Sequence, residues 1–128
     1  MLPLLVLHSR KLILKKIYNI GVEATMDVIG GKWKPIILCN LRHHPSRPGE
    51  LRRLIPGISQ KMLTQQLREL EIDNIIVRKV YNQVPPKVEY SLSPYGETLN
   101  GLLDILCSWG EGHVQTLKSM GEEVQILE

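Results

Sequence analysis

Phenylalanine is absent from the sequence and aromatic residues make up only 5% of it, so the interior has to be built from Leu, Ile and Val. Cysteine is scarce too. Cys39 and Cys107 make no disulfide framework and fit a reducing cytoplasm, where a free thiol usually serves as a small buried hydrophobe. Both are expected to be structural thiols on apolar helices. The apolar start, Met1-Leu-Pro-Leu-Leu-Val-Leu7, is far short of the roughly 20 residues that span a bilayer. It also lacks the basic flank and small-residue cleavage site of a targeting segment, so no membrane partner is expected. No Ser/His/Asp or Cys/His set and no paired-carboxylate motif is visible. Gly30-Gly31-Lys32 lacks the spacing of a phosphate-binding loop, so neither an enzyme nor a cofactor is expected.

What is present suits one domain: 128 residues with 43% hydrophobic composition. The net charge of +3 is modest, but its distribution is uneven. Residues 1–41 carry +4 and residues 42–87 carry +5, whereas residues 88–128 carry −6. A basic middle followed by an acidic end means that one part is suited to a polyanion and another is not.

Residues 9–18 mix basic and apolar positions as a loosely amphipathic helix would, to pack on a partner subunit or lie on a membrane surface. Val22 to Ile29 reads as a short helix with Ala24, Val28 and Ile29 inward, stopped by Gly30-Gly31. Pro35 suits the first turn of a buried helix over Ile36 to Leu41. His43 to Gly49 is a loop by composition, and Glu50 to Leu54 a third short helix. After the turn Ile55-Pro-Gly-Ile58, Ser59 stands where an N-cap belongs. Leu63, Leu67 and Leu70 then recur at helical spacing, with Lys61, Gln65 and Arg68 opposite, and Asp73-Asn74 ends the segment. Ile75 to Tyr81 and Val88 to Leu92 read as strands around the stiff tip Asn82 to Lys87. A long helix is expected from near Pro94, with Leu99, Leu102, Leu103, Leu106 and Trp109 on one wide stripe. Continuation into a dimer partner and packing within the domain both fit that stripe.

Short helices with a Pro-Gly turn, a polar-fronted helix and a β-hairpin occur in the order of a winged helix-turn-helix, a mainly α fold with a small hairpin (α+β). A major groove about 12 Å wide admits one α-helix and presents distinguishable donors and acceptors. Gln60 and Gln65 suit adenine, Lys61 and Arg68 suit guanine, and Thr64 suits a thymine methyl. Ser59 is placed to cap the helix or meet a phosphate. Arg52, Arg53, Lys32 and Lys34 are expected to grip the DNA backbone, and Lys79, Asn82, Gln83 and Lys87 an adjacent groove or phosphates.

Four segments carry a resemblance: Val22-Glu-Ala-Thr-Met-Asp-Val-Ile-Gly-Gly-Lys-Trp33; Arg47 with Glu50-Leu-Arg-Arg53; Pro56-Gly-Ile-Ser-Gln-Lys-Met-Leu-Thr-Gln-Gln-Leu-Arg-Glu-Leu-Glu71; and Val84-Pro-Pro-Lys-Val-Glu-Tyr-Ser-Leu-Ser93. From about Ile20 to His113 the chain resembles the HxlR-type bacterial transcription regulators. The resemblance implies a homodimer that joins through its terminal helices and acts on promoters as repressor or activator. It makes Ser59 to Glu71 the recognition helix and Arg78 to Tyr90 the wing. Many relatives carry a Cys-Pro pair, a sensor in some, where this chain has Ile20 and Gly21. Pro48 stands where a phenylalanine is common.

The expected organisation is therefore an N-terminal extension over residues 1–19, a winged-helix domain over residues 20–118 and an acidic tail over residues 119–128. The expected partners are double-stranded DNA, at an inverted repeat, and a second copy of the chain; no small-molecule effector is identified. Two other readings remain. One is a winged-helix module that binds protein instead of DNA. The other is a metal-responsive regulator that uses Cys39, His43 and His44, whose spacing tolerates a metal.

Overall fold

The computed structural model describes residues 6–8 and 11–13 as backbone and residues 16–127 in full. The chain divides into two compact units, Met1–Glu97 and Thr98–Glu128. In the first, β1 (Val6–His8) and β2 (Lys11–Ile13) precede α1 (Gly21–Ile29), α2 (Trp33–Leu41), α3 (Pro48–Leu54) and α4 (Gln60–Ile72). The hairpin β3 (Ile76–Tyr81) and β4 (Lys87–Leu92) and the short α5 (Pro94–Glu97) follow; α6 (Asn100–Ser119) forms the second unit.

The N-terminal region departs from the helix expected over residues 9–18. Val6 pairs with Ile13, Leu7 with Leu12 and His8 with Lys11 in an antiparallel ladder, and residues 16–18 have no regular structure. Two short apolar runs satisfy their backbone groups by pairing with each other, a local solution that a helical-period reading overlooks. Residues 9, 10, 14 and 15 of that stretch lie outside the described residues.

Among the described residues, the buried hydrophobic side chains of the first unit are all Ile or Leu: Ile29, Ile37, Leu38, Leu41, Leu51, Ile55, Ile58, Leu63, Leu67, Leu70, Ile75 and Ile76. Each helix supplies part of this core. Ile29 is the buried end of α1, with Ala24 and Val28 half-buried beside it, and α2 buries Ile37, Leu38 and Leu41. Helix α3 begins two residues earlier than expected because Pro48 occupies its first turn, where no N–H is needed. The Arg47 amide there donates to Glu50 Oε1 at 2.9 Å.

Helix α4 has well-defined ends. Ser59 Oγ accepts from the Met62 amide at 3.0 Å, satisfying a donor that the first turn leaves open. The preceding turn requires Gly57, whose φ of +92° is strained for any residue with a Cβ. At the other end Asn74 adopts φ +62°, and the Ile75 amide reaches back to the Leu70 carbonyl at 3.0 Å. Between these stops Leu63, Leu67 and Leu70 are buried, as their spacing predicts.

Strands β3 and β4 pair from Ile76 with Leu92 to Tyr81 with Lys87. The loop expected over His43 to Gly49 adds a partner: Ser46 and Tyr90 exchange both backbone hydrogen bonds, at 2.9 and 2.8 Å, which buries Ser46. A single extended residue leaves no period to read, so it is invisible in sequence.

The helix expected from Pro94 is two helices, α5 and α6, with a break at Thr98-Leu99. Ser93 fixes the first. Its Oγ donates to the Asn74 carbonyl at 2.6 Å and accepts from the Gly96 amide at 2.8 Å. Gly96 lies so close to the start of β3 that an added Cβ would stand 2.0 Å from the Ile75 carbonyl oxygen. Within the second unit Leu103 is fully buried, Leu99 and Leu102 are half-buried, and Ile105, Leu106 and Trp109 are exposed. Trp109 stacks on His113 with centroids 5.2 Å apart. Cys107 is exposed and Cys39 only half-buried, a departure from two buried thiols. Among the described residues no helix is long and apolar enough to cross a membrane.

Because the neighbour at Gly96 is backbone and cannot swing aside, Gly96→Ala is expected to lower stability by about 1–3 kcal/mol. Urea denaturation measures this, and an unchanged midpoint would show that α5 shifts freely.

Candidate nucleic-acid interface

With its leucines inward, α4 turns Gln60, Lys61, Thr64, Gln65 and Arg68 outward, all of them exposed. They line one shallow, open groove along the helix, with Glu69 and Ile72 at its edge. Every side chain expected on the front of this helix is therefore on one solvent-facing surface. Ser59, exposed at the helix start, is engaged as the cap. The face offers amide donors and acceptors, two cations and a hydroxyl, a set that can form hydrogen bonds to base edges.

Around it stand exposed cations on other elements. Arg52 and Arg53 are exposed on α3. Lys32 is exposed before α2, its Nζ 4.6 Å from the Trp33 ring centroid. The structure adds Arg47, a residue of the resemblance for which the sequence suggested no DNA contact. It is exposed and shares a concavity with Arg53, Glu50 and Glu89. Its placement depends on Pro48 starting α3 and on the Ser46–Tyr90 bridge next to it, and neither was read from sequence.

Two lysines stand apart from the expected set. Lys34 is buried, at 9% exposure, and its Nζ meets Glu69 Oε1 at 2.6 Å, tying α2 to α4. A buried ammonium already engaged by the half-exposed carboxylate of Glu69 is not presented to a phosphate, which corrects its assignment as a backbone contact. Lys87 is half-buried; its Nζ lies 3.4 Å from Glu89 Oε2 and 4.6 Å from the Tyr81 ring centroid. Tyr81 also donates its hydroxyl proton to Glu89 Oε1 at 2.7 Å, so Lys87 belongs to a cluster internal to the wing. Lys79, though 4.7 Å from the same ring, is exposed, as are Asn82 and Gln83.

The ion pairs perturb their carboxylates. The Lys34 hydrogen bond holds Glu69 below its ordinary value of 4.5, against the opposing effect of burial, and Gln65 Nε2 donates to the other oxygen at 3.3 Å. Glu89 is lowered chiefly by the Tyr81 hydroxyl, with Lys87 and Arg47 assisting. His43 and His44 are exposed in their loop. Among the described residues no group of three or more His, Cys, Asp or Glu is placed to hold a metal ion.

A carboxyl that ionises more readily folded than unfolded stabilises the fold fully above its unfolded pKa; this stabilisation disappears as pH falls through the lower folded value. Glu69→Gln is therefore expected to be less stable than the parent at neutral pH, with the gap closing below the ordinary carboxylate range. Denaturant midpoints of both proteins across pH measure it; a gap of constant size down to acid pH would contradict an ionic origin.

Residues 28–118 match the family model described as an HxlR-like helix-turn-helix. The chain is 61% identical to the HTH-type transcriptional regulator YtcD of Bacillus subtilis (strain 168) over 114 residues, 89% of either chain. Over 107 residues it is 50% identical to the regulator YkvN of the same organism, covering 84% of this chain and 91% of that one. Among solved structures, a crystal structure of the HTH-type transcriptional regulator ytcD aligns with a TM-score of 0.72 at 63% identity, over 74% of this chain and 97% of that one. The redox regulator HypR in its reduced form aligns with a TM-score of 0.72 at 52% identity, over 77% and 97%.

Proposed function

The chain belongs to the HxlR-like helix-turn-helix family and is a transcriptional regulator, and from that premise we propose that it binds an inverted-repeat promoter site as a homodimer, with α4 in the major groove. The observation that carries this reading is the two-sided build of α4, three leucines buried behind five exposed polar side chains. In this reading Gln60 and Gln65 read adenine, Lys61 and Arg68 read guanine, and Thr64 packs on a thymine methyl. Arg47, Arg52, Arg53 and Lys32 contact phosphates and set the register, while Lys79, Asn82 and Gln83 extend the wing toward a neighbouring groove. Such a protein works in the cytoplasm, beside the bacterial chromosome, and needs no catalytic chemistry of its own.

The dimer reading rests on α6. Of the five residues expected to face a partner, Leu103 is buried within the chain, which removes it from a shared surface. Leu99 and Leu102 are half-buried, whereas Leu106 and Trp109 are exposed and Ile105 joins them; Ile105 is 66% and Trp109 70% exposed. Large apolar side chains in one stretch of helix are more stable covered than in water, at about 25 cal/mol per Å². To meet two half-sites one helical turn apart, the recognition helices of such a dimer have to stand about 34 Å apart, or a multiple of that.

Two measurements test these proposals. Duplexes selected from a random pool, then compared by mobility shift, are expected to bind far more tightly than unselected DNA. Arg68→Ala or Gln65→Ala should relax the preference at one position per half-site by about 1–3 kcal/mol. Arg53→Ala should weaken all sequences alike and flatten the salt dependence. Equal losses on selected and random DNA for the first two variants would remove α4 from base readout. Light scattering is expected to show a dimer that Trp109→Glu converts to monomer; a parent protein that is monomeric at high concentration would end the dimer reading.

A further inference from the structure

Lys34 is buried behind α4 and Glu69 lines the groove on its front, so together they connect the two sides of the helix. Lys34 Nζ meets Glu69 Oε1 at 2.6 Å, and the second carboxylate oxygen, Oε2, accepts from Gln65 Nε2 at 3.3 Å. The lysine side chain is only 11% exposed, so its ammonium has few other places to go. The carboxylate is thereby pinned against α2, with its outer oxygen turned toward the next exposed residue on the same helix face, one turn back.

This geometry constrains Gln65. A glutamine amide has two chemically opposite ends, an acceptor oxygen and a donor NH2 group, which a free side chain can exchange by rotation. An ionised carboxylate only accepts hydrogen bonds, so the end that faces Glu69 must be the NH2 group. One N–H is then held by Glu69, leaving Oε1 and the other N–H for a ligand in the groove. Adenine presents an N7 acceptor beside an N6 donor, the complement of that pair. We propose that Lys34 and Glu69 are positioning residues for base readout, fixing the orientation of the Gln65 amide so that it selects adenine without either of them touching DNA. The proposal rests on the reading of α4 as the recognition helix.

The consequences differ from those of a phosphate contact and from those of a purely structural ion pair. An ammonium already neutralised inside the protein displaces no counterions from DNA, so its removal leaves the salt dependence of binding unchanged. A structural pair would weaken all duplexes together, whereas a positioning pair acts at one base pair only, and only while Gln65 is present.

The test uses the full chain and duplexes selected from a random pool, varied at the base pair whose identity Gln65→Ala relaxes. Glu69→Gln nearly preserves shape but can face Gln65 with either end of its own amide, and Lys34→Met leaves the carboxylate unanchored. Both are expected to reduce adenine discrimination at that position by roughly tenfold or more. Discrimination elsewhere in the site and the slope of affinity against salt are expected to stay at parental values, and Lys34→Arg should restore the preference. In the Gln65→Ala background, Glu69→Gln should have no further effect at that position. Full discrimination in Glu69→Gln, or losses that simply add to those of Gln65→Ala, would overturn the proposal. Should Lys34→Met fail to fold, the cycle between Glu69→Gln and Gln65→Ala decides alone. A parent protein that binds no duplex even at low salt defeats the recognition-helix reading itself, an outcome distinct from tight binding with an unaltered base preference.

Discussion

The rotation of α4 about its own axis is the constraint on which the rest depends. A helix turns about 100° per residue, so a shift of one position in the buried row would replace the whole outward face. Leu63, Leu67 and Leu70 prevent this by being fully enclosed. Each contributes about 1.5–3 kcal/mol of burial, and truncating any of them to Ala would cost about 2–5 kcal/mol. No comparable energy acts on Gln60, Lys61, Thr64, Gln65 or Arg68, which face solvent. In the proposed reading, stability and recognition therefore reside on opposite sides of one helix. The rear can stay constant while the front changes its base preference.

Charge behaves less simply than its distribution along the chain implies. The basic middle of the sequence is consistent with a DNA-facing surface, but its cations divide between outward and inward work. Lys61, Arg68, Arg52 and Arg53 are exposed; Lys34 and Lys87 are held by Glu69 and Glu89. Such partly exposed pairs contribute little to stability, about 0–1 kcal/mol. Their effect is geometric. The Lys34–Glu69 pair joins α2 to α4, and the group of Tyr81, Lys87 and Glu89 ties the two wing strands together beyond their backbone ladder.

Much of this was legible in the sequence because it is local. Apolar spacing located the inner faces of α1 and α4, Ser59 and Asn74 marked the ends of α4, and alternation at Val88 to Leu92 marked a strand. Features made by partners distant in the chain were not. Ser46 is an ordinary loop serine until Tyr90 lies beside it, and Lys34 looks like a surface cation until Glu69, 35 residues later, meets it. The packing of α5 is a similar case. Pro94 was read correctly as a helix start, but nothing local reveals that Gly96 must press against the Ile75 carbonyl. On α6 the stripe was real, yet periodicity cannot tell which of its members the chain covers by itself. Leu103 was covered; Leu106 and Trp109 were not.

That division on α6 bears on how binding would reach useful affinity. One α4 offers few base contacts, each good bidentate pair contributing about 1–3 kcal/mol of discrimination, while neighbouring phosphate contacts favour any duplex equally. A single half-site would thus be recognised only modestly above the background of other DNA. The proposed joining of two copies through the exposed Ile105, Leu106 and Trp109 would make the second half-site encounter intramolecular, at an effective concentration fixed by geometry instead of by protein abundance. Discrimination at equivalent positions then counts twice, so one misplaced amide in each copy would be felt as the product of both losses. On this logic the orientation of Gln65, a small matter in a monomer, becomes a principal determinant of specificity in a symmetric complex.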